Sequence, residues 1–418
     1  MRRRSEAPAK LGSEVGATQS EPDPKNSDAL SPPRHVLPVI ALSQLAGTSL
    51  WFAINAVLPD LQRETGLADS AVGWLTGAVQ VGFIAGTLAF ALLSIADRFS
   101  PTRVFLVCSL AGAALAVLTT VLPPTLSTLL ALRFFTGVCL AGIYPVGMKI
   151  AAQWFPRGLG AALGWLVGAL VLGSASPHGL RALGAAWPWQ QVFIGVAAAV
   201  ALAGVIVITL VPEPPDVARQ PGAAPLRLSA LASLWRNRRV RASALGYFGH
   251  MWELYTVWVL LPFVLATRLN TSAAVSGWAF AVIAAGALGC VLGGVLARRH
   301  GSAHVASTQL ATSGLCCLAA PWMLHAPWPL FIAWLLLWGV TVAGDSPQFS
   351  ALTAANAPRQ AVGSVLTLSN SIGFAISALS IELFVRLAQT VPLAQLLPWL
   401  ALGPLLGLLA MRPLLARP

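Results

Sequence analysis

The sequence predicts an all-α membrane protein with twelve transmembrane helices arranged as two six-helix bundles. Hydrophobic residues make up 56% of the 418-residue chain and charged residues only 10%, whereas soluble domains carry about 25% charged residues. So few charges cannot cover a water-exposed surface of this size, and the composition therefore argues against a soluble enzyme. A membrane-crossing helix needs about 20 apolar residues, and the chain contains twelve apolar runs of that order.

The twelve runs, which we name spans 1 to 12, follow a polar tail. Residues 1–34 are rich in proline, serine and charge, which predicts a disordered cytoplasmic tail, and they lack the apolar core of a secretory signal. The longest polar break, 212–241, predicts a cytoplasmic linker between an N-terminal bundle at 35–211 and a C-terminal bundle at 242–418. The predicted spans are 36–58, 71–95, 104–122, 126–148, 158–180, 190–211, 242–265, 273–297, 305–325, 328–350, 361–385 and 394–411.

The positions of the basic residues predict the orientation of the chain. Most of the 26 lysine and arginine residues fall in segments that are cytoplasmic if the N-terminus is inside. We therefore expect a multi-pass protein of the inner, or plasma, membrane with both termini in the cytoplasm. Because these residues lie between apolar runs, the net charge of +12 does not indicate a nucleic-acid partner. The five cysteines lie inside apolar runs, which favours packing over a disulfide or a metal site.

An internal repeat supports the division into two bundles. Gly137 and Pro145 in span 4 recur as Gly339 and Pro347 in span 10, an offset of 202 residues. Further matches at nearly the same offset relate spans 1 and 2 to spans 7 and 8. Parallel repeats of six helices are a transporter architecture, with the solute site expected near the midplane between the halves.

Two related loops resemble a signature of the major facilitator superfamily. That family typically has Gly-x-Leu-Ala-Asp-Arg-x-Gly-Arg-Arg between spans 2 and 3, and residues 93–102 retain its Asp-Arg pair without the two glycines. The second copy, at 294–301, retains the glycines and has arginine at the aspartate position. A charged turn marks where helices leave the hydrocarbon. The alternative interpretation is a solvated turn that has no gating function. The gating residues that the resemblance implies are Asp97, Arg98, Arg298 and Arg299.

The resemblance extends from about residue 35 to the end of the chain. Residues 133–137 of span 4, Arg-Phe-Phe-Thr-Gly, are similar to the family's Arg-x-x-Gln-Gly, with Thr136 in place of glutamine. The resemblance implies a transporter that works by alternating access, with spans 1, 4, 7 and 10 around a central cavity. It also implies that the protein needs no cofactor and functions as a monomer.

Four ionisable residues lie well inside the spans, and each costs about 2.5–3.5 kcal/mol at a helix centre. They are Arg133, His250, Glu253 and Asp345. The repeat partners of Arg133, Glu253 and Asp345 are apolar, which favours a role with solute or protons over packing. A different pair, Glu382 and Arg386, is four residues apart near the outer end of span 11 and predicts a structural ion pair.

His250 and Glu253 are the candidates for proton coupling, because they are three residues apart on one face of span 7. A desolvated carboxylate beside an imidazole is a plausible proton carrier. A polar contact that joins two helices would use the same residues, and the sequence does not separate the two interpretations.

The candidates for solute binding are Arg133, Asp345, Asn370 and Trp252. Arg133 offers a fork of donors that suits a carboxylate or oxyanion; alternatively Asp345 neutralises Arg133, and the solute need not be anionic. Asn370 lies in a segment similar to the Asn-Gly segments of nitrate and nitrite porters. Trp252 is one of several aromatic residues that would suit a drug pocket.

The sequence therefore predicts a proton-coupled secondary transporter of a small polar solute, which is an anion if Arg133 binds it. The alternative is a proton-driven exporter of hydrophobic drugs. The chain has no Walker-type phosphate loop, which argues against ATP-driven transport. Its histidines are scattered, which argues against an enzyme, and the predicted linker is too short for the folded domain of a sensor.

Overall fold

The computed structural model describes residues 33–155, 159–184, 187–213, 234–358 and 361–415. Nearly all of the predicted tail and most of the predicted linker lie outside these ranges. Within them every regular element is a helix, which confirms the predicted all-α membrane fold. Eleven helical stretches are long and apolar enough to cross a membrane.

The N-terminal bundle contains spans 1 to 6, and two of these spans are interrupted. A single helical turn, Ile95–Arg98, connects spans 2 and 3. The helices are Val36–Thr48 and Ala53–Thr65 (span 1), Ala71–Leu92 (span 2), Pro101–Val121 (span 3), Leu126–Ala141 and Tyr144–Trp154 (span 4), Leu159–Leu183 (span 5) and Trp189–Leu210 (span 6).

The C-terminal bundle contains spans 7 to 12, and its first helix begins inside the predicted linker. Span 9 is not among the eleven stretches, because serine, threonine and glutamine lower the mean hydropathy of its 22-residue helix. The helices are Arg238–Ala266 (span 7), Ser272–His300 (span 8), Ser302–Met323 (span 9), Trp328–Gly344 and Ser346–Asn356 (span 10), Val362–Leu387 (span 11), and Leu393–Leu396 with Leu402–Leu415 (span 12).

Spans 4 and 10 are interrupted at the same position of the internal repeat. Span 4 breaks at Gly142 and Ile143, and span 10 breaks at Asp345, the repeat partner of Ile143. Proline follows each break early in the next helix, as Pro145 and Pro347, where its missing N–H group is least costly. The repeat is therefore present in the backbone as well as in the sequence.

Span 1 has a further break that the other half lacks. Its helix stops at Thr48 and resumes at Ala53, whereas its repeat partner, span 7, is continuous from Arg238 to Ala266. Carbonyl groups at the end of a helix have no partner within that helix. The first half therefore needs a hydrogen-bond donor at this break that the second half does not need.

Repeated glycines allow two pairs of helices to approach closely. Gly137 on span 4 lies against the backbone of Val79 on span 2, and Gly339 on span 10 lies against the backbone of Val282 on span 8. A Cβ atom at either glycine would collide with the neighbouring carbonyl oxygen. Small residues at such crossings are typical of helix packing in membranes, and the two contacts are equivalent in the two bundles.

We expect Gly137→Ala and Gly339→Ala each to lower the thermal midpoint of the detergent-solubilised protein, because the helices must separate to admit a methyl group. Overpacking of this kind costs about 1–3 kcal/mol. The matched controls are Gly77→Ala on span 2 and Gly294→Ala on span 8, where a Cβ atom meets nothing within 4 Å. Equal midpoints for all four variants would show that these crossings are not tight.

Candidate functional site

A cavity of about 480 Å³ lies between the two bundles, and we name it the inner cavity. It is bordered by spans 2, 4, 5 and 11 and extends to Ala96, at the end predicted to be cytoplasmic. Its wall combines aromatic and aliphatic carbon with a few hydroxyl and amide groups and one ammonium group, and a space of this size accepts a small organic solute. The polar residues of the wall are Thr87, Tyr144, Lys149, Ser364, Thr367, Asn370 and Ser371.

A second, smaller space, the central pocket, continues from the inner cavity towards the middle of the molecule. The two spaces share Tyr144 on span 4 and Asn370 on span 11. Tyr247 and Tyr255 on span 7 also line the central pocket. Its volume is about 30 Å³, which leaves room for no more than a few water molecules. The pocket is therefore nearly closed in this conformation.

Aromatic side chains from both bundles close the far side of the central pocket. The ring of Trp51 is stacked on Tyr255 and Phe374, with centroids 5.8 and 5.3 Å apart. All of these rings are buried, so the cavity system is closed at this end. We name the group the aromatic plug; its members are Trp51, Phe52 and Phe83 from the N-terminal bundle and Tyr255, Trp258 and Phe374 from the C-terminal bundle.

A contact between the bundles at the predicted outer end of spans 2 and 11 involves the predicted ion pair. Arg386 donates a hydrogen bond to Glu382, so the pair is present as the sequence predicts. The Arg386 guanidinium carbon also lies 5.2 Å from the ring centroid of Trp74 on span 2, and Gly73 lies against the Glu382 carboxylate. The pair therefore links two bundles, which its spacing within one helix does not reveal.

The structure brings His250, Glu253 and Asp345 to the interior of the C-terminal bundle, and we name them the acid cluster. His250 Nδ1 lies 2.8 Å from Asp345 Oδ1. Cys317 Sγ on span 9 donates a hydrogen bond of 3.3 Å to Glu253 Oε2. All three members are fully buried, and none of them lines the inner cavity or the central pocket.

Several atoms of the acid cluster have no hydrogen-bond partner within the described residues. They are Glu253 Oε1, Asp345 Oδ2 and His250 Nε2. Burying a polar group without a hydrogen-bond partner costs free energy, and burying an unpaired charge costs more. The charge state of the acid cluster therefore has a large effect on the free energy of this conformation. Tyr247 connects this cluster to the central pocket, because its ring centroid lies 5.8 Å from that of His250.

Arg133 lies at the break in span 1 and does not border the inner cavity or the central pocket. Its Nη1 donates a hydrogen bond of 2.8 Å to the carbonyl oxygen of Leu50, and its Nη2 donates to that of Trp51. The side chain is buried, and its Nε has no partner in the described ranges. Asp345 does not neutralise Arg133, the alternative that the sequence left open, because Asp345 pairs with His250.

The other predicted site residues lie in different places. Asn370 lines both cavities. Trp252 does not face the central pocket. It faces an apolar groove of about 560 Å³ on the lateral surface, which is bordered by spans 7, 11 and 12. Sequence reasoning missed Tyr144 and Tyr255, although tyrosine occurs only three times in the chain.

The predicted gating loops are only partly described. The Asp97 side chain lies outside the described part of the structure, and Arg98 ends the single turn Ile95–Arg98. Arg298 and Arg299 are exposed in the last turn of span 8. No ion pair joins these three arginines to a described side chain. Their gating role therefore stays a prediction.

Comparisons with known proteins agree with this architecture. A family model described as Major Facilitator Superfamily matches residues 40–381. The chain is 33% identical over 140 residues to the niacin transporter NiaP of Acinetobacter baylyi, an alignment that covers 30% of each protein. It is 29% identical over 211 residues to a chloramphenicol resistance protein of Streptomyces lividans, covering 50% of this chain and 53% of that one. The alignments thus span a third to a half of these relatives.

Solved structures show the same fold over nearly the whole chain. The human organic anion transporter MFSD10 (TETRAN) superposes with a TM-score of 0.72 at 17% identity, covering 91% of this chain and 99% of that one. A proton:xylose symporter, XylE, bound to 6-bromo-6-deoxy-D-glucose, superposes with a TM-score of 0.71 at 14% identity, covering 91% and 95%. At these identities the likeness concerns the fold.

Proposed function

Because the chain belongs to the major facilitator superfamily, and is therefore a multi-pass membrane transporter and not an enzyme, we propose that it carries a small organic solute in a proton-coupled cycle of alternating access. The single observation that supports this most strongly is the inner cavity, which lies between the bundles and is closed at one end by the aromatic plug. A passage closed at one end is what alternating access requires of one state. We propose further that the inner cavity faces the cytoplasm of an inner, or plasma, membrane.

Proton coupling is supported by the acid cluster. Two carboxyl groups and one imidazole lie fully buried within the C-terminal bundle, and Cys317 donates a hydrogen bond to Glu253. A single proton gained or lost there changes the balance of charge in a region with little water. Tyr247 contacts both His250 and the central pocket, which offers a physical connection between the proton site and the solute site.

The described residues do not favour Arg133 as an anion-binding group. Two of its nitrogens donate to the carbonyl groups at the break in span 1. The cavity walls contain neutral hydroxyl and amide groups together with Lys149, which donates a hydrogen bond to the carbonyl oxygen of Ala96. We therefore propose a solute that is recognised by neutral donors and aromatic rings. The niacin and chloramphenicol named for two relatives are small ring compounds, which agrees with this proposal.

Export of hydrophobic compounds is the second candidate, and the lateral groove favours it. The groove is lined by Leu245, Phe248, Trp252 and Leu406, among others, and has a volume of about 560 Å³. Trp252 Nε1 has no hydrogen-bond partner within the described ranges. A lipophilic compound could enter from the bilayer at this surface, whereas a polar solute could not.

Uptake by proteoliposomes tests the proposed function. With an imposed pH gradient, we expect a small aromatic acid or amide to accumulate above its equilibrium distribution, and a protonophore to abolish the accumulation. Protein-free liposomes control for passive entry of the uncharged forms. Equilibration without accumulation would remove proton coupling, and the absence of any flux would remove the transport proposal for these solutes. Loss of lipophilic dye transport in Trp252→Ala, with uptake of the small acid unchanged, would support the second candidate.

A further inference from the structure

Tyrosine is the rarest aromatic residue of this chain, and its distribution is not random. The chain has 16 phenylalanines and 15 tryptophans but only three tyrosines. All three, Tyr144, Tyr247 and Tyr255, line the central pocket. The only phenolic hydroxyl groups of the protein are therefore collected at one place, where the two bundles meet.

The three hydroxyl groups make no hydrogen bond that stabilises the described structure. None of them takes part in a hydrogen bond within the described ranges, and none is a fully buried polar atom. Phenylalanine would supply the same ring for packing, so packing alone does not explain these tyrosines. Each hydroxyl is available as a donor to a molecule in the pocket.

The wall around these hydroxyl groups combines aromatic rings with aliphatic side chains and the hydroxyl groups of Ser346 and Ser350. Tyr255 lies within 5.5 Å of Phe374 and 5.3 Å of Trp258, measured between ring centroids. Asn370 adds a side-chain amide to the same wall, and Met251 adds a thioether. Flat rings and a thioether favour a planar, polarisable guest, and the hydroxyl and amide groups favour oxygen acceptors on that guest.

From these observations we propose that Tyr144, Tyr247, Tyr255 and Asn370 form the binding site for a planar aromatic ring that carries a carboxyl or carboxamide group. This inference rests on the proposed transport function and names its substrate class. The ring lies among the aromatic side chains, and its oxygen atoms accept hydrogen bonds from the tyrosine hydroxyl groups. A neutral donor set accepts both the acid and the amide, which a site built on arginine would not do equally.

A cavity that binds benzene has a volume of about 150 Å³, so the proposal requires the central pocket to widen, and the pocket lies between two parts that can move. Tyr144 belongs to the N-terminal bundle, whereas Tyr247 and Tyr255 belong to the C-terminal bundle. Rocking of one bundle against the other therefore changes the separation of the hydroxyl groups. The solute enters through the inner cavity, meets Tyr144 and Asn370 first, and reaches the other two tyrosines as the bundles separate.

The rarity of tyrosine provides a direct test. Protein labelled with 3-fluorotyrosine has three fluorine resonances, all from the proposed site, and the variants Tyr144→Phe, Tyr247→Phe and Tyr255→Phe assign them one by one. We expect nicotinate, benzoate and benzamide to shift all three resonances. Cyclohexanecarboxylate, which has the same acid on a saturated ring, is the matched control and should bind at least tenfold more weakly.

The same variants give a second measurement. Loss of one hydroxyl donor should weaken benzoate binding roughly fivefold to tenfold, while Phe193→Leu, a buried change in span 6 away from both cavities, should leave it unchanged. Shifts without flux in proteoliposomes would retain the site and overturn the transport function. Proton-driven flux of another solute, with no shift by any aromatic acid or amide, would overturn this inference and retain the function.

Discussion

Glu253→Gln is expected to abolish solute accumulation driven by a pH gradient while leaving solute exchange largely intact. Glutamine preserves the size and the hydrogen-bonding shape of the side chain but cannot release a proton in the cycle. Glu253 is fully buried, and its Oε1 has no partner among the described residues, so its charge state matters more than that of a surface carboxylate. Gradient-driven uptake and counterflow, measured on the same proteoliposomes, separate the two activities.

Asp69→Asn is the matched control for this experiment. Asp69 is an exposed carboxylate in the loop between spans 1 and 2, and its neutralisation should leave both uptake and exchange unchanged. Gradient-driven uptake at the wild-type level in Glu253→Gln would exclude this residue from the proton path. Loss of both activities, together with a lower thermal midpoint, would indicate that Glu253 holds the helices of the C-terminal bundle together.

Arg133→Gln is expected to lower the thermal midpoint and the maximal transport rate for every solute, whatever its charge. The change removes the donors that hold the carbonyl groups of Leu50 and Trp51 at the break in span 1. Hydrogen bonds from a charged donor contribute about 1.5–3 kcal/mol each. In Arg133→Lys the thermal midpoint and the transport rate should stay close to those of Arg133→Gln, because an ammonium group lacks the planar fork that reaches two acceptors.

Three comparisons distinguish this expectation from direct binding of an anion. Arg412→Gln, a change at an exposed arginine in span 12, controls for loss of charge. The double variant Arg133→Gln, Asp345→Asn should have a thermal midpoint and a transport rate no higher than those of the single variant, since Asp345 pairs with His250 and not with Arg133. A selective loss of affinity for anionic solutes at an unchanged midpoint would show instead that Arg133 binds the solute.

Most of the architecture follows from local patterns in the sequence. The apolar runs predict the spans because a membrane helix needs a continuous apolar stretch, and the offset between Gly137 and Gly339 predicts the equivalent helix crossings. Four of the buried ionisable residues, Arg133, His250, Glu253 and Asp345, also follow from their positions within the spans. What the sequence lacks is the direction in which each side chain faces, since a helix that is apolar on every side has no polarity to orient it.

Arg133 and Trp252 show the consequence of that missing information. The repeat partner of Arg133 is apolar, which favours a functional role, but the break in span 1 is itself confined to one half. A break that occurs in only one half needs a hydrogen-bond donor in only that half. The lack of an equivalent arginine in the other half therefore also agrees with a structural role for Arg133. Trp252 lies on span 7 with Tyr247 and Tyr255, yet it faces the lateral groove while they face the central pocket.

The most direct test of the central claim is to observe proton movement that a solute alone drives. Proteoliposomes that contain a trapped pH-sensitive dye are prepared without a pH gradient, and a gradient of nicotinate or benzamide is applied. The account predicts a solute-dependent change of internal pH with the wild-type protein that exceeds the change seen with Glu253→Gln and with protein-free liposomes given the same solute. Solute flux through the wild-type protein without proton movement beyond that of the protein-free liposomes would contradict it.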